Sequence, residues 1–202
     1  MSTTKTVAPT VTKKARSGRP KKFVSLDGLM TVEEWAAMPD IKPRFELIDG
    51  ILVQKPMTKP RHSKAVGELL IELAIWGRPD GWQFFPEGTG VYINPHTGFV
   101  PNVVGFRPEQ TLDPDESIGA TPFIVAEVLS QRTAKKDRTT KMRGYGSVSV
   151  PLYLIIDPEA HTLEIYRIEN NAYGAPEVLS GADVWQPAEL PGLRLELARL
   201  WM

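Results

Sequence analysis

The most constraining feature of the sequence is a run of apolar residues that contains a single acid. Residues 122–129 predict a β-strand on which Glu127 shares one face with Phe123, Val125 and Leu129. The residues between them are also apolar, as expected of a central strand that is covered on both faces. A carboxylate in such surroundings must be paired with a cation, protonated or bound to a metal. The sequence leaves two interpretations of Glu127 open, a salt bridge to Lys or Arg and a metal ligand.

The other segments predict helices and strands around this central strand. Thr31 and Glu34 have the spacing of a capping box that opens a short helix, and Asp49-Gly50 joins two β-runs as a type I′ hairpin turn. Apolar residues at spacings of three and four predict a helix over residues 62–76. The remaining predicted elements are a basic helix over residues 133–145 and strands over residues 82–86, 91–94, 98–106, 152–156 and 163–168. The predicted fold class is therefore α/β, a mixed β-sheet flanked by helices, with an N-terminal β-hairpin.

Charge is distributed unevenly along the chain. Lys and Arg together number 24, and so do Asp and Glu, but residues 1–22 carry seven basic residues and no acid. The remainder therefore has seven more acids than bases. We expect residues 1–29 to form a disordered basic arm, because they lack hydrophobic periodicity, and residues 30–202 to form one folded domain.

The basic arm contains one segment, GRPKK, that resembles the core of a minor-groove-binding AT-hook. Its Arg19, Lys21 and Lys22 are the predicted DNA contacts, through the groove and the flanking phosphates. A solvated arm with no nucleic-acid partner is the alternative interpretation, since five residues recur by chance.

The composition excludes several functional classes. The absence of Cys excludes disulfide scaffolds, iron–sulfur centres, Cys-ligated zinc and thiol catalysis. No apolar run approaches the ~20 residues that span a bilayer, and the polar start contains no stretch of signal-peptide type. We therefore expect a cytoplasmic protein that does not associate with membranes.

Two charged residues away from the central strand have both an ordinary and a functional interpretation. Lys141 follows Asp137 by one helical turn, which is typical of an ion pair on a helix surface. Glu46 lies between Phe45 and Leu47 in the predicted hairpin, where it either faces solvent or points toward the same sheet as Glu127.

Several short blocks of sequence follow one another along the chain in a characteristic order. They are RFELIDG at residues 44–50, PRH at 60–62, VPNV at 100–103, VAEVLS at 125–130, Lys141, and YLIID at 153–157. In order and spacing these blocks resemble the Uma-two family of restriction endonucleases, which belongs to the PD-(D/E)XK nuclease superfamily. The resemblance covers roughly residues 30–175 and excludes the basic arm.

The resemblance implies a restriction-endonuclease-like core that hydrolyses DNA phosphodiester bonds with a divalent cation, Mg²⁺ or Mn²⁺. It implies that Glu127 and the backbone carbonyl of Val128 are metal ligands, and that Lys141 replaces the lysine usually found two residues after the Glu. Glu46 corresponds to an additional catalytic acid, and His62 to a residue that contacts phosphate or caps its helix. Nucleases of this superfamily often pair to cut two strands, which implies a homodimer.

One position departs from the family pattern. The Asp that serves the family as a catalytic metal ligand is Asn102 here, a neutral amide that removes one negative charge from the cation's site. We therefore expect weaker metal binding and much reduced turnover. Three accounts stay open: a natural member that binds DNA without cutting it, a substitution introduced to inactivate an enzyme, or a site completed by another acid. The candidates for that acid are Asp113, Asp115 and Glu116.

Two functions are therefore predicted, a metal-dependent DNA endonuclease weakened by Asn102 and a DNA-binding or regulatory protein on the nuclease scaffold. Both need a basic surface on an otherwise acidic domain. Lys135, Lys136 and Arg138, with Lys141 and Arg143, cluster around one predicted helix, and the first three are the predicted DNA contacts of the domain. A scaffold with no nucleic-acid partner is a third interpretation, which the excess of acids alone suggests.

Overall fold

The computed structural model of the protein describes residues 28–38, 44–113 and 120–201. The predicted basic arm lies outside these ranges except for its last two positions. Also outside the described residues are three of the predicted DNA contacts and two of the candidate acids, namely Arg19, Lys21, Lys22, Asp115 and Glu116.

Helices and strands follow one another in the predicted order, with additional strands near the C-terminus. The helices are α1 (Val32–Ala36), α2 (Pro60–Gly77), α3 (Ala134–Lys136) and α4 (Met142–Ser147), with 3₁₀ turns at Arg78–Asp80 and Leu197–Leu200. The strands are β1 (Phe45–Ile48), β2 (Ile51–Gln54), β3 (Gln83–Pro86), β4 (Val91–Asn94), β5 (Thr97–Phe99), β6 (Val103–Phe106), β7 (Ile124–Val128), β8 (Leu152–Asp157), β9 (Thr162–Glu169), β10 (Ala172–Tyr173), β11 (Glu177–Ser180), β12 (Val184–Trp185) and β13 (Leu195–Glu196). Within the described ranges, none of the helices is long and apolar enough to cross a membrane.

A seven-stranded sheet forms the centre of the fold. Its order is β10-β9-β8-β7-β6-β3, and β11 also pairs with β9. Strands β7 and β8 are parallel, whereas their neighbours pair antiparallel, so the sheet is mixed as predicted. A parallel pair requires a crossover connection, which the helical residues 134–147 supply.

Strand β7 is buried on both faces, as its apolar run predicts. Alternate residues pack in two clusters, one beneath α2 that includes Ile124 and Ala126, and one around Tyr145 that includes Val125. Phe123 departs from the predicted alternation, because it precedes β7 and packs with the cluster beneath α2. The central sheet is thus covered on both sides, and any polar group on β7 lies within the core.

The predicted hairpin is confirmed and belongs to a second sheet. Asp49 and Gly50 have φ angles of 49° and 76°, both positive as a type I′ turn requires. Strand β1 pairs with β2 on one side and with β5 on the other, which gives the order β2-β1-β5-β4. The predicted capping box is also present, since Thr31 and Glu34 exchange side-chain-to-backbone hydrogen bonds at the start of α1.

The single strand predicted over residues 98–106 is wrong. The chain forms β5 in the second sheet, leaves it at residues 100–102, and enters the central sheet as β6. Pro101 lies in this junction, and it has no backbone N–H with which to continue a ladder of hydrogen bonds. The break places Asn102 where one sheet gives way to the other.

The basic helix predicted over residues 133–145 is not uniform. Its ends are the α-helical segments α3 and α4, but Asp137–Lys141 between them forms a π-helical turn. A π-helical turn closes its hydrogen bonds over five residues instead of four and is frequent at functional sites. Both Asp137 and Lys141 are buried in this turn.

Gly98 in β5 packs against the indole ring of Trp35, which joins α1 to the second sheet. A Cβ atom at Gly98 would overlap that ring, so we expect Gly98→Ala to lower the free energy of unfolding by about 1–3 kcal/mol. Gly67 in α2 has open space at its Cβ position, and Gly67→Ala should raise the free energy of unfolding by about 0.5–1 kcal/mol. Urea denaturation measures both changes. A Gly98→Ala protein as stable as the wild type would show that the Trp35 contact does not constrain the fold.

Candidate functional site

A pocket lies where the two sheets meet, and it is lined by side chains from both of them. Strand β1 contributes Glu46, the junction between β5 and β6 contributes Asn102, and β7 contributes Glu127. The π-helical turn contributes Asp137 and Lys141. The structure therefore brings together the four residues that the resemblance implies are catalytic, although up to 95 positions separate them in the sequence.

Glu127 is buried, with only 2% of its surface exposed. One carboxylate oxygen, Oε1, accepts hydrogen bonds from Lys141 Nζ at 2.8 Å and from the Tyr145 hydroxyl at 2.9 Å. Burial raises the pKa of Glu127 to about 7, although the adjacent ammonium of Lys141 favours the charged form. The salt bridge that the sequence left open is therefore present in the structure.

Glu46 is completely buried, so its solvent-facing interpretation is wrong. Its two oxygens contact different lysines: Oε1 lies 2.7 Å from Lys141 Nζ, and Oε2 lies 2.6 Å from Lys136 Nζ. Oε1 also accepts a hydrogen bond from the backbone N–H of Val100. Burial by itself raises the pKa of a carboxyl, but Lys141, Lys55 and Lys136 together lower the pKa of Glu46 to about 2. Glu46 is thus ionised at neutral pH.

The surface ion pair predicted for Asp137 and Lys141 is also wrong, because both residues are buried. Lys141 Nζ lies 3.5 Å from Asp137 Oδ1, which is an ionic contact, and Oδ1 makes no hydrogen bond within the described residues. The Tyr153 hydroxyl donates to the backbone carbonyl of Asp137 and fixes the π-helical turn. Burial by itself lowers the pKa of a lysine, but three carboxylates, Glu127, Glu46 and Asp137, raise the pKa of Lys141 above its ordinary value.

Asn102 is held in one orientation by the main chain. Its Oδ1 accepts a hydrogen bond from the backbone N–H of Val128 at 2.8 Å, and the side chain is 4% exposed. Only the oxygen of an amide can accept such a bond, so the bond directs Oδ1 toward the Val128 backbone and the NH₂ group away from it. An Asp in the same position would keep the bond and offer a second carboxylate oxygen instead.

His62, at the start of α2, is buried and lies near the Val128 backbone, whose polar groups raise the pKa of the ring. Burial outweighs this contribution and lowers the pKa of His62 overall. His62 Nδ1 is buried and has no hydrogen-bond partner within the described residues. His62 therefore lines the pocket as an uncharged ring at neutral pH.

The residues that line the pocket do not fit a divalent cation well. Mg²⁺ takes oxygen ligands, preferably carboxylates, in near-octahedral geometry. Asn102 brings a neutral amide instead of a carboxylate, and Glu127 Oε1 is already bonded to Lys141 and Tyr145. Among the residues that the structure describes, no group of three or more His, Asp and Glu side chains is arranged to hold a metal.

The predicted DNA contacts on the helix differ in whether an acidic side chain pairs with them. Lys136 is paired with Glu46, and Arg138 is paired with Glu164 at 2.5 Å. Lys135 is exposed and forms no ion pair with any described residue. Three further basic side chains share these properties and were not predicted as contacts of the domain: Lys59, Arg132 and Arg143.

Sequence reasoning missed three residues of the site. Tyr145 and Asp137 lie four positions on either side of Lys141, a spacing that places them on one side of a helix without showing that this side is buried. Lys55 donates to the backbone carbonyl of Val100 at 2.5 Å, and no local signal marks it. Asp113, the one candidate substitute acid in the described ranges, is exposed and does not line the pocket.

The mixed sheet with its parallel central pair, and the pocket of acids and lysine beside it, define a nuclease-like α/β fold. The chain belongs to the Uma2 family, since the family model described as "Putative restriction endonuclease" matches residues 32–198. The fold is also similar to that in a crystal structure of "a putative nuclease belonging to DUF820" from Anabaena variabilis ATCC 29413. The two chains are 23% identical with a TM-score of 0.71, over 85% of this chain and 97% of the other. None of the curated proteins matches the chain. The predicted family and fold class are confirmed.

Removal of the Glu46 charge tests how strongly the pocket depends on its buried ion pairs. Glu46→Gln leaves Lys141 and Lys136 without one carboxylate, and we expect it to lower the free energy of unfolding by about 3–5 kcal/mol. Glu68→Gln is the matched control, because Glu68 pairs with Lys64 on the surface of α2. This change should lower the free energy of unfolding by about 0.5 kcal/mol or less. Urea denaturation compares the two variants. Equal effects would show that burial adds nothing to the Glu46 pairs.

Proposed function

We propose that this protein binds DNA at the pocket between its two sheets and, with Asn102 in place, does not cleave it. Membership of a family of restriction-endonuclease relatives supports DNA as the ligand. The single observation that carries the proposal is the hydrogen bond from the Val128 N–H to Asn102 Oδ1, which fixes the amide. The chain is thus a nuclease scaffold whose centre favours binding over hydrolysis.

The orientation of the amide supports an anion over a cation as the partner of residue 102. An NH₂ group donates hydrogen bonds and carries a partial positive charge, so it repels a metal ion and suits a phosphate oxygen. Phosphodiester hydrolysis by this class of nuclease relies on a cation that activates water and neutralises the phosphate. Asn102 withdraws an anionic ligand and aims a donor at the pocket, so phosphate binding persists while that route to hydrolysis is lost.

The exposed basic residues supply the surface that a DNA backbone needs. Lys59 immediately precedes α2, and Arg132 and Lys135 flank the start of α3, close in sequence to pocket residues from both elements. Unpaired ammonium and guanidinium groups contact phosphates and release counterions. Arg19, Lys21 and Lys22 of the predicted basic arm add positive charge that offsets the acidic domain, and we propose that they contact the same DNA.

DNA binding should be independent of metal and sensitive to salt. We expect fluorescence anisotropy with labelled duplex DNA to show binding in EDTA that weakens steeply as salt rises. Lys135→Ala should reduce the magnitude of the logarithmic salt slope by about 1. Arg194→Ala is the control, because Arg194 is an exposed residue near the C-terminus that pairs with Glu196. A protein that binds no DNA at low salt, or for which both variants behave alike, would contradict the proposed function.

Restoring the family's Asp should restore cleavage. We expect the wild type to leave supercoiled plasmid intact with Mg²⁺, Mn²⁺ or EDTA, whereas Asn102→Asp nicks it with either cation and not in EDTA. The double variant Asn102→Asp, Glu127→Ala is the control and should be inactive, because Glu127 is the remaining acid next to residue 102 in the pocket. An inactive but folded Asn102→Asp protein would show that the pocket is not a latent nuclease centre.

A second candidate function, metal-dependent cleavage by the chain as it stands, rests on Asp137. Its Oδ1 is buried at the pocket and makes no hydrogen bond within the described residues. The Asp137 carboxylate is therefore placed to act instead of the family's Asp at position 102. If the wild type nicks plasmid with Mg²⁺ and Asp137→Asn abolishes the nicking, Asp137 replaces the family's missing acid and the protein is an active endonuclease.

A further inference from the structure

We infer that the Lys141 ammonium is the resident cation of this pocket, and that with Asn102 in place the three carboxylates around it bind a divalent cation only when Lys141 is removed. The inference goes beyond DNA binding, because it concerns what balances the buried charges whether or not DNA is present. It also gives the buried acids of the pocket a counter-ion that belongs to the chain itself.

The geometry places one ammonium among three acids from three different elements. Lys141 Nζ lies 2.7 Å from Glu46 Oε1 on β1, 2.8 Å from Glu127 Oε1 on β7 and 3.5 Å from Asp137 Oδ1 on the π-helical turn. The side chains of all four residues are exposed by 3% or less. Three carboxylate oxygens therefore surround one buried position, which the ammonium occupies.

The chemistry of an ammonium matches this surrounding. A lysine has three N–H donors and no acceptor, so a fully buried ammonium needs acceptor oxygens around it. Carboxylate oxygens of three residues lie within 3.5 Å of Lys141 Nζ. A hard divalent cation takes the same kind of ligand, but at roughly 2.0–2.6 Å, so the three carboxylates must draw closer together than they lie around the ammonium. Lys141 and a divalent cation therefore compete for one position.

Occupation by Lys141 excludes a second cation at that position. A divalent ion bound to the same oxygens would lie within a few ångströms of the ammonium in a medium of low dielectric constant, where like charges repel strongly. The backbone that carries Asp137 and Lys141 is held by the Tyr153 hydroxyl, and Glu127 is also held by Tyr145. These fixed partners keep the lysine from moving aside for the metal.

Removal of Lys141 leaves the same oxygens without a buried cation. The nearest remaining cations in the pocket are Lys136 and Lys55, whose side chains are 22% and 12% exposed and which already pair with Glu46 and Glu87. A divalent cation that binds the folded state and not the unfolded chain then stabilises the fold in proportion to the logarithm of its concentration. The variant Lys141→Met keeps the length of the side chain and removes only its charge and hydrogen bonds.

The experiment is thermal unfolding of the full chain in EDTA and in millimolar Mg²⁺, Ca²⁺ or Mn²⁺. We expect Lys141→Met to unfold at a lower temperature than the wild type in EDTA. Ca²⁺ or Mn²⁺ at about a hundredfold excess over its Kd should raise that temperature by roughly 5–10 °C. Lys64→Met, which removes a half-exposed lysine paired with Glu68, is the matched control and should not respond to the cations, nor should the wild type.

Electron paramagnetic resonance of Mn²⁺ provides a readout that does not depend on stability. Lys141→Met should bind one Mn²⁺ per chain, and the wild type and Lys64→Met should bind none. If Lys141→Met does not fold in EDTA, the double variant Glu46→Gln, Lys141→Met removes a buried acid together with the buried base. This double variant should fold and should bind Mn²⁺, although with two carboxylates instead of three.

Two results would overturn the inference. One is a wild type that binds one Mn²⁺ per chain with a signal lost in Glu127→Gln, because the pocket would then accept a metal beside Lys141. The other is a folded Lys141→Met protein, single or double, that binds no Mn²⁺ and gains no stability from Ca²⁺. Neither measurement uses DNA, so either failure leaves the proposed DNA binding to be judged on its own test.

Discussion

The ion pairs of one buried ammonium connect the two sheets of this fold. Lys141 contacts Glu46 in the second sheet and Glu127 in the central sheet, and it is carried by the crossover that joins β7 to β8. Buried charges are tolerated only when they are paired, so each of these elements must hold its charged residue within reach of the others. Three features of the fold satisfy this one requirement: the hairpin lies against the central sheet, the π-helical turn faces inward, and Tyr145 lies beside Glu127.

Elements with a strong local signal were predictable from the sequence. The apolar run of β7, the Asp49-Gly50 turn and the periodicity of α2 each depend on residues close together in the chain, and the structure confirms them. The split between β5 and β6 was missed because Pro101 interrupts a run whose two halves are both strand-like, so only tertiary pairing reveals two sheets. Strands of two to four residues, such as β10 to β13, and the π-helical turn leave no periodic pattern in the sequence.

The four candidate catalytic members of the site could be predicted from the sequence, whereas three of its other members and its electrostatics could not. Glu127 stands out as an acid in an apolar strand, whereas Glu46 and Lys141 were recognised through the family resemblance and looked like surface residues by pattern alone. The sequence shows that Asn102 lacks a charge, but the direction of its amide depends on the Val128 N–H, a contact across 26 positions that only the fold creates. A substitution that preserves shape thereby exchanges an acceptor for a donor at one point of the pocket.

The π-helical turn makes the length of its segment as important as its composition. Loss of a single residue between Asp137 and Lys141 would return the segment to a regular α-helix and rotate everything beyond it by about 100° relative to the preceding turn. Lys141 and Tyr145 would then leave Glu127 together, although every side chain of the site was still encoded. A change of length within these five positions would therefore dismantle the pocket even if every residue that lines it were kept.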